Sequence, residues 1–213
     1  MRFQLSSLLA GLLAAAVSAQ DDPVQTGPFT LHIKGKEGSS IDGYAGSCHA
    51  GAAIEGLCYN EGALPSGNYV EYYFNASAYG KVGDAEVGQL IWKLPYNDGN
   101  GGQATVDQSL SLQFSMNSNV AAAMFGLGSY YYLNLGFDEE GKLFSVSYID
   151  DSTFEPGKSP FPSGNATADY QWYACWQYFT GYYYQSIGWA TTSPPHNPTC
   201  EPVDIFQEFP SSY

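Results

Sequence analysis

"WYACWQYFTGYYYQSIGW", residues 172–189, holds three of the chain's four tryptophans, six tyrosines or phenylalanines and one of its four cysteines. A two-residue turn at Thr180-Gly181 would fold it into a hairpin in which Phe179 faces Tyr182. In that register Trp172 pairs with Trp189, Ala174 with Ile187, Trp176 with Gln185 and Tyr178 with Tyr183. Directly opposed residues share a face of the sheet, so this face is nearly all large and apolar. The other face carries Tyr173, Cys175, Gln177, Tyr184, Ser186 and Gly188. A one-residue slip would mix tryptophan and glutamine on one side. The expectation is a core hairpin whose Trp172, Trp176 and Trp189 share a buried face. Tyr173, Tyr182 and Tyr184 are left pointing outward as candidate stacking residues for a ligand.

The rest of the chain reads in the same way. "FTLHIKG" (29–35) alternates Phe29, Leu31 and Ile33 against Thr30, His32 and Lys34, the period of a half-buried strand. "YVEYYFNAS" (69–77), "GQLIWKLPY" (88–96), "SLSLQFSM" (109–116) and "VDIFQEF" (203–209) follow that pattern. "YYYLNLGF" (130–137) and "KLFSVSYI" (142–149) flank "DEEG" (138–141), a hairpin signal. Helical signals are scarce: "AGAAIEG" (50–56) is long enough for one or two turns, and "NVAAAMFGLG" (119–128) is apolar without a helical stripe. No loop separates two differing compositions. The expected fold is all-β, a single-domain barrel or sandwich of about nine to twelve strands, with a trefoil-like arrangement among the options.

The N-terminal "MRFQLSSLLAGLLAAAVSA" has one basic residue, an apolar run from Leu8 to Val17 and small residues up to Ala19, the pattern of a secretory signal peptide over 1–19. The run is about ten residues, where a membrane-spanning helix needs about 20. Residues 20–213 are then the secreted domain, an extracellular one with no membrane partner. Secretion makes disulfides the default for four cysteines. Three pairings are possible, and nearness in sequence favours Cys48–Cys58 and Cys175–Cys200. Asn75-Ala76-Ser77 and Asn165-Ala166-Thr167 are N-glycosylation acceptors.

Residues 20–213 carry six lysines, no arginine and 21 acids, a net charge of −15. Nucleic acids and anionic membranes are gripped by basic side chains, so neither is an expected partner. Catalytic signals are weak. No G-x-S-x-G elbow is present, and pairing consumes the thiols. His32, His49 and His196 lack the spacing of a zinc helix, and His49 with Glu55 gives two ligands where a site needs more. Asp150 and Asp151 are adjacent on a strand end and point to opposite faces. Asp138, Glu139 and Glu140 crowd a turn where solvation is their ordinary role. No cofactor is expected.

"SCHAGAAIEGLCYNEG" (47–62), with the "FTLHIKG" strand, the "FNAS" sequon, the "FDEEGKL" hairpin and the aromatic-Cys-aromatic hairpin running into "NPTC", resembles a family of small secreted proteins of filamentous ascomycete fungi. That family is a domain of unknown function, so the resemblance implies a secreted β-rich protein and no catalytic residues. It also agrees with local cysteine pairing. The functional expectation is a non-catalytic, monomeric extracellular or cell-surface protein. Its partner would be a neutral or basic cell-wall glycan or an extracellular protein. A carboxylate-dependent hydrolase of extracellular polysaccharide is the alternative.

Overall fold

A computed structural model describes residues 24–36, 38–127, 133–149, 154–158 and 166–210, with the backbone alone at 77–79. The leader over 1–19, Asn165, Asp150 and Asp151 lie outside these residues. The described chain is built of strands: β1 (Val24–Gly35), β2 (Asp42–Gly51), β3 (Ile54–Glu61), β4 (Tyr72–Val82), β5 (Ala85–Asn97), β6 (Gln103–Gln113), β7 (Val120–Gly126), β8 (Leu135–Phe137), β9 (Leu143–Ser147), β10 (Thr167–Asp169), β11 (Trp172–Phe179), β12 (Tyr182–Ala190) and β13 (Glu201–Glu208). One 3₁₀ turn, Asn68–Val70, precedes β4.

The strands close into an antiparallel barrel rather than a sandwich, its ring of nine running β5-β4-β1-β13-β11-β12-β3-β7-β6 and back to β5. A ring of strictly alternating directions needs an even number of strands. Here β12 also pairs directly with β7 through Gly188–Ala190, and meets β3 only at Ser186↔Cys58. Strand β3 is thus wedged where β12 and β7 splay apart. β2 bridges β1 and β3, while β8, β9 and β10 extend from the edge of β5.

Alternation fills the barrel. Phe29, Leu31 and Ile33 of β1 are buried and join Leu57, Tyr72, Leu90, Trp92, Leu110, Phe125, Val203 and Ile205 in one core. Tyr72 stacks on Phe125 with centroids 5.8 Å apart. Trp172 is fully buried, meets Trp189 edge-on at 4.9 Å, and donates its indole N–H to the Leu143 carbonyl at 3.0 Å. That bond ties β9 to the barrel wall.

Two segments take a different form from the one their composition suggests. Residues 50–56 are the end of β2, a tight turn at Ala52-Ala53 and the start of β3, not helix. Cys48 lies opposite Gly56 and bonds Cys58, so the cross-strand pairing overrides the modest helix preference of three alanines. Residues 120–126 form β7, buried on both faces, which is why they show no stripe.

The 172–189 hairpin has the expected register at every pair, from Trp172↔Trp189 to Phe179↔Tyr182. Thr180 and Gly181 both take positive φ, 49° and 111°, as a two-residue turn of this hand requires. The shared tryptophan face, however, is buried only at its base. Trp172 is enclosed and Trp189 packs against the core, whereas Trp176 is 43% exposed. The cause is length. β13 pairs with β11 only at Tyr173 and Ala174, and β3 with β12 only at Ser186. The outer half of the hairpin therefore outruns the barrel that would cover it. Trp172→Ala is expected to cost about 3–5 kcal/mol, and Trp176→Ala less than about 1 kcal/mol, by denaturant unfolding. Equal losses would mean that the outer half is packed after all.

Candidate binding groove at the hairpin tip

Pleating sends Trp176, Tyr178 and Tyr183 to one side of the outer hairpin, and all three are exposed. Trp176 and Tyr183 stack with centroids 5.2 Å apart and planes 28° off parallel. Beside them the end of β6 leaves Phe114 exposed as well. Between β6–β7 and the hairpin lies an open groove of about 440 Å³. Its lining includes Phe114 and Phe179 with Gln113, Gln177 and Asn197, and Trp176 and Tyr178 border it with their rings on the hairpin face opposite Gln177. No charged side chain is among its described lining residues. In a chain this acidic, that is a local exception.

The polar groups of the groove are held in place. Gln177 accepts a hydrogen bond from Ser186 Oγ at 2.9 Å, which leaves its amide nitrogen as a donor. That nitrogen rests over Gly188, where a Cβ would come within 2.6 Å of it and 2.8 Å of Val120 Cγ1. Glycine at 188 is what lets Gln177 lie against the sheet. Trp176 is clamped through its backbone: its N–H donates to Thr199 Oγ1 at 3.0 Å, and its carbonyl accepts from Asn197 Nδ2 at 2.9 Å. Asn197 is itself fixed, its carbonyl oxygen accepting from Thr199 N and Oγ1.

The clamp is anchored on both sides. Cys175 bonds Cys200, and Cys175 is fully buried with Val120 and Ala190. Asn119 donates to Thr192 and Pro194 and accepts from the His196 N–H at 2.7 Å. The "NPTC" stretch is thus a bracket that presents one tryptophan to solvent. His196 takes part through its backbone and keeps an exposed ring.

The three outward tyrosines are half-buried and do not converge. Tyr173 packs over Val120, Cys175, Ala190 and Cys200. Tyr182 and Tyr184 stack at 6.2 Å beside the other disulfide, Cys48–Cys58, with His49 edge-on to Tyr182 at 5.1 Å. Asn75 lies half-buried within β4, its side-chain oxygen accepting from Gln25 Nε2 at 2.7 Å. At the hairpin tip the exposed rings are instead Trp176, Tyr178 and Tyr183, with Phe114 beside them. The sequence carries a faint signal for them: the aromatic face runs on to the hairpin tip, farther than the neighbouring strands can cover.

Among the other polar clusters, His32 holds β1, β2 and β13 together. Its Nε2 lies 2.6 Å from Asp42 and its Nδ1 2.8 Å from Glu208, and its ring stacks on Tyr44. Asp138 has more than a solvated role. It accepts from the Glu140 and Lys142 backbone N–H groups and from the Tyr170 hydroxyl at 2.9 Å. Burial, followed by this bond to Asp138, pushes Tyr170 up to about 12. Glu55 is buried on β3, and its partner is His49 at 3.4 Å. Burial pushes the Glu55 carboxyl above its ordinary value, and the His49 contact only partly opposes that.

Comparison of the chain with family models, with curated proteins and with solved structures finds no match.

Because burial raises Glu55 in the folded state, the folded protein keeps this proton just above pH 4.5, where the unfolded chain releases it. Stability should therefore fall as pH rises through that interval. Glu55→Gln is expected to flatten this part of a Tm-against-pH curve and leave the rest in place. An unchanged slope in the variant would mean that Glu55 is solvated.

Proposed function

We propose that this protein is a secreted, non-catalytic binding protein. It grips a neutral glycan at the hairpin tip, on the exposed Trp176 and Tyr178 beside the groove. The observation that carries this reading is the chemistry of the hairpin tip: the exposed rings of Trp176, Tyr178 and Tyr183 on one face, and on the other a groove of amides and hydroxyls with no charged side chain among its described lining residues. Sugar rings present C–H faces to aromatic rings and hydroxyls to amides. Tyrosine and tryptophan suit such half-wet positions, since one end is apolar and the other polar. A phosphate or sulfate polymer would find no cation there, and a polyamine would find no carboxylate. Clamping Trp176 before binding also lowers the cost of ordering it.

The leader pattern and the two disulfides support secretion, since such bonds persist in oxidising compartments. A hydrolase would need a raised acid and a second carboxylate across one cleft. Glu55, the buried carboxyl described above, lies outside the lining of the groove, which carries no carboxylate among its described residues, so the groove favours binding over hydrolysis.

Pull-down on insoluble neutral glucan and chitin tests the idea. Retention should survive a rise from 0.1 to 1 M salt, because stacking does not depend on the shrinking Debye length. Trp176→Ala and Tyr178→Ala should each weaken it about tenfold or more, in line with stacking worth about 1–3 kcal/mol on other ring ligands. Retention lost in salt, or unchanged in both variants, would refute the proposal.

A further inference from the structure

A second cavity has the opposite chemistry. It measures about 400 Å³ and lies between the β4–β5 turn, the β8–β9 turn and β10. Its apolar lining comprises Val82, Ala85, Phe137, Phe144 and Ala168. Asp84, Asp138, Glu139 and the Tyr170 side chain supply the polar part, and no basic residue is among its described lining. The size falls in the range of small-molecule sites.

The three carboxylates are not equivalent. Asp138 is committed to its own turn and to the Tyr170 hydroxyl. It therefore shapes the wall. Asp84 and Glu139 are exposed and, among the described residues, have no ion-pair partner. Lys36 and Lys142 are engaged elsewhere. Lys36 lies 3.3 Å and Lys142 3.7 Å from Asp204, and Lys36 also donates to the Tyr170 carbonyl. Lys142 sits 5.3 Å over the Tyr170 ring. Among the described residues no lysine, Lys81 beside the β4–β5 turn included, lies within 4 Å of Asp84 or Glu139, so the two carboxylates at the mouth of the apolar cavity have no close cation.

We propose that this cavity binds an aliphatic amine. The alkyl body lies against Phe137, Ala85 and Ala168, and the ammonium group is met by Asp84 and Glu139. An anion would be repelled there. A neutral hydrocarbon would leave both charges without a partner, and a polar ammonium would leave the apolar lining unfilled. This site is independent of the glycan groove and shares no lining residue with it.

The test is calorimetric titration of the whole protein with n-hexylammonium, 1-hexanol, hexanoate and glucosamine, at 0.1 M salt. Hexylammonium should bind at least about fivefold more tightly than hexanol or glucosamine, and hexanoate should give no heat. Amide shifts of Ala85 and Ala168 should report the same titration. The double variant Asp84→Asn, Glu139→Gln changes exposed positions and should keep its Tm. It should lose about fivefold to tenfold in hexylammonium affinity while hexanol is unaffected, as expected for two partly exposed ion pairs. Ala168→Leu, which fills the cavity, should abolish binding, and Trp176→Ala should not alter it. Equal binding of hexanol or glucosamine, an unaffected double variant, or no binding by hexylammonium would each overturn the proposal.

Discussion

The register of β11 against β12 is the constraint on which the other features rest. It is set at the turn, where Thr180 and Gly181 accept the positive φ values that a two-residue loop demands. Because side chains alternate strictly, a slip of one position would turn β11 over relative to β12. Trp172 would leave the core and Cys175 would enter it. With the register as it is, Cys175 points away from the barrel interior to meet Cys200. That bond brings the Asn197–Thr199 bracket against the backbone of Trp176. Core, crosslink and exposed ring are consequences of one turn.

The distribution of charge gives the molecule two kinds of surface. Most of it is acidic, since 21 carboxylates face six lysines in residues 20–213. Several lysines serve internal purposes: Lys36 and Lys142 against Asp204, Lys93 over the Tyr73 ring at 3.9 Å. The groove at the hairpin tip lies apart from this field, with amides and hydroxyls where carboxylates are common elsewhere. The cavity under the β4–β5 turn keeps the acidic character and adds an apolar floor. Two lining chemistries are thus kept apart by where the acids lie, and they share no residue.

Much of the fold could be read from alternation alone. Phe29, Leu31 and Ile33 are buried as their spacing requires, and the hairpin pairs residue for residue as its aromatic face demands. Local cysteine pairing was legible because each pair brackets one hairpin or one loop. What alternation cannot supply is depth. It names the face of Trp176 but not how far neighbouring strands extend to cover it, and that depends on partners such as β13 and β3 that are distant in sequence. The same limit hid the groove. Phe114 and Trp176 are far apart in the chain, and nothing local to either shows that β6 and the hairpin tip end side by side. The β2–β3 turn was obscured for another reason, because alanine-rich stretches favour helix until a crosslink and a paired strand decide otherwise.

Ring closure has a consequence for how the protein behaves when crowded. At a pH near its isoelectric point of about 4.2 the molecule loses the repulsion that keeps acidic proteins apart. A β-protein with a long open edge would then offer a template for intermolecular strand pairing. Here most strands spend both edges on one another, and the open edges among the described strands are short: β10, three residues long, and the outer half of the β11–β12 hairpin. Ring closure thereby confines to these short stretches the strand edge that the molecule exposes as it approaches neutrality.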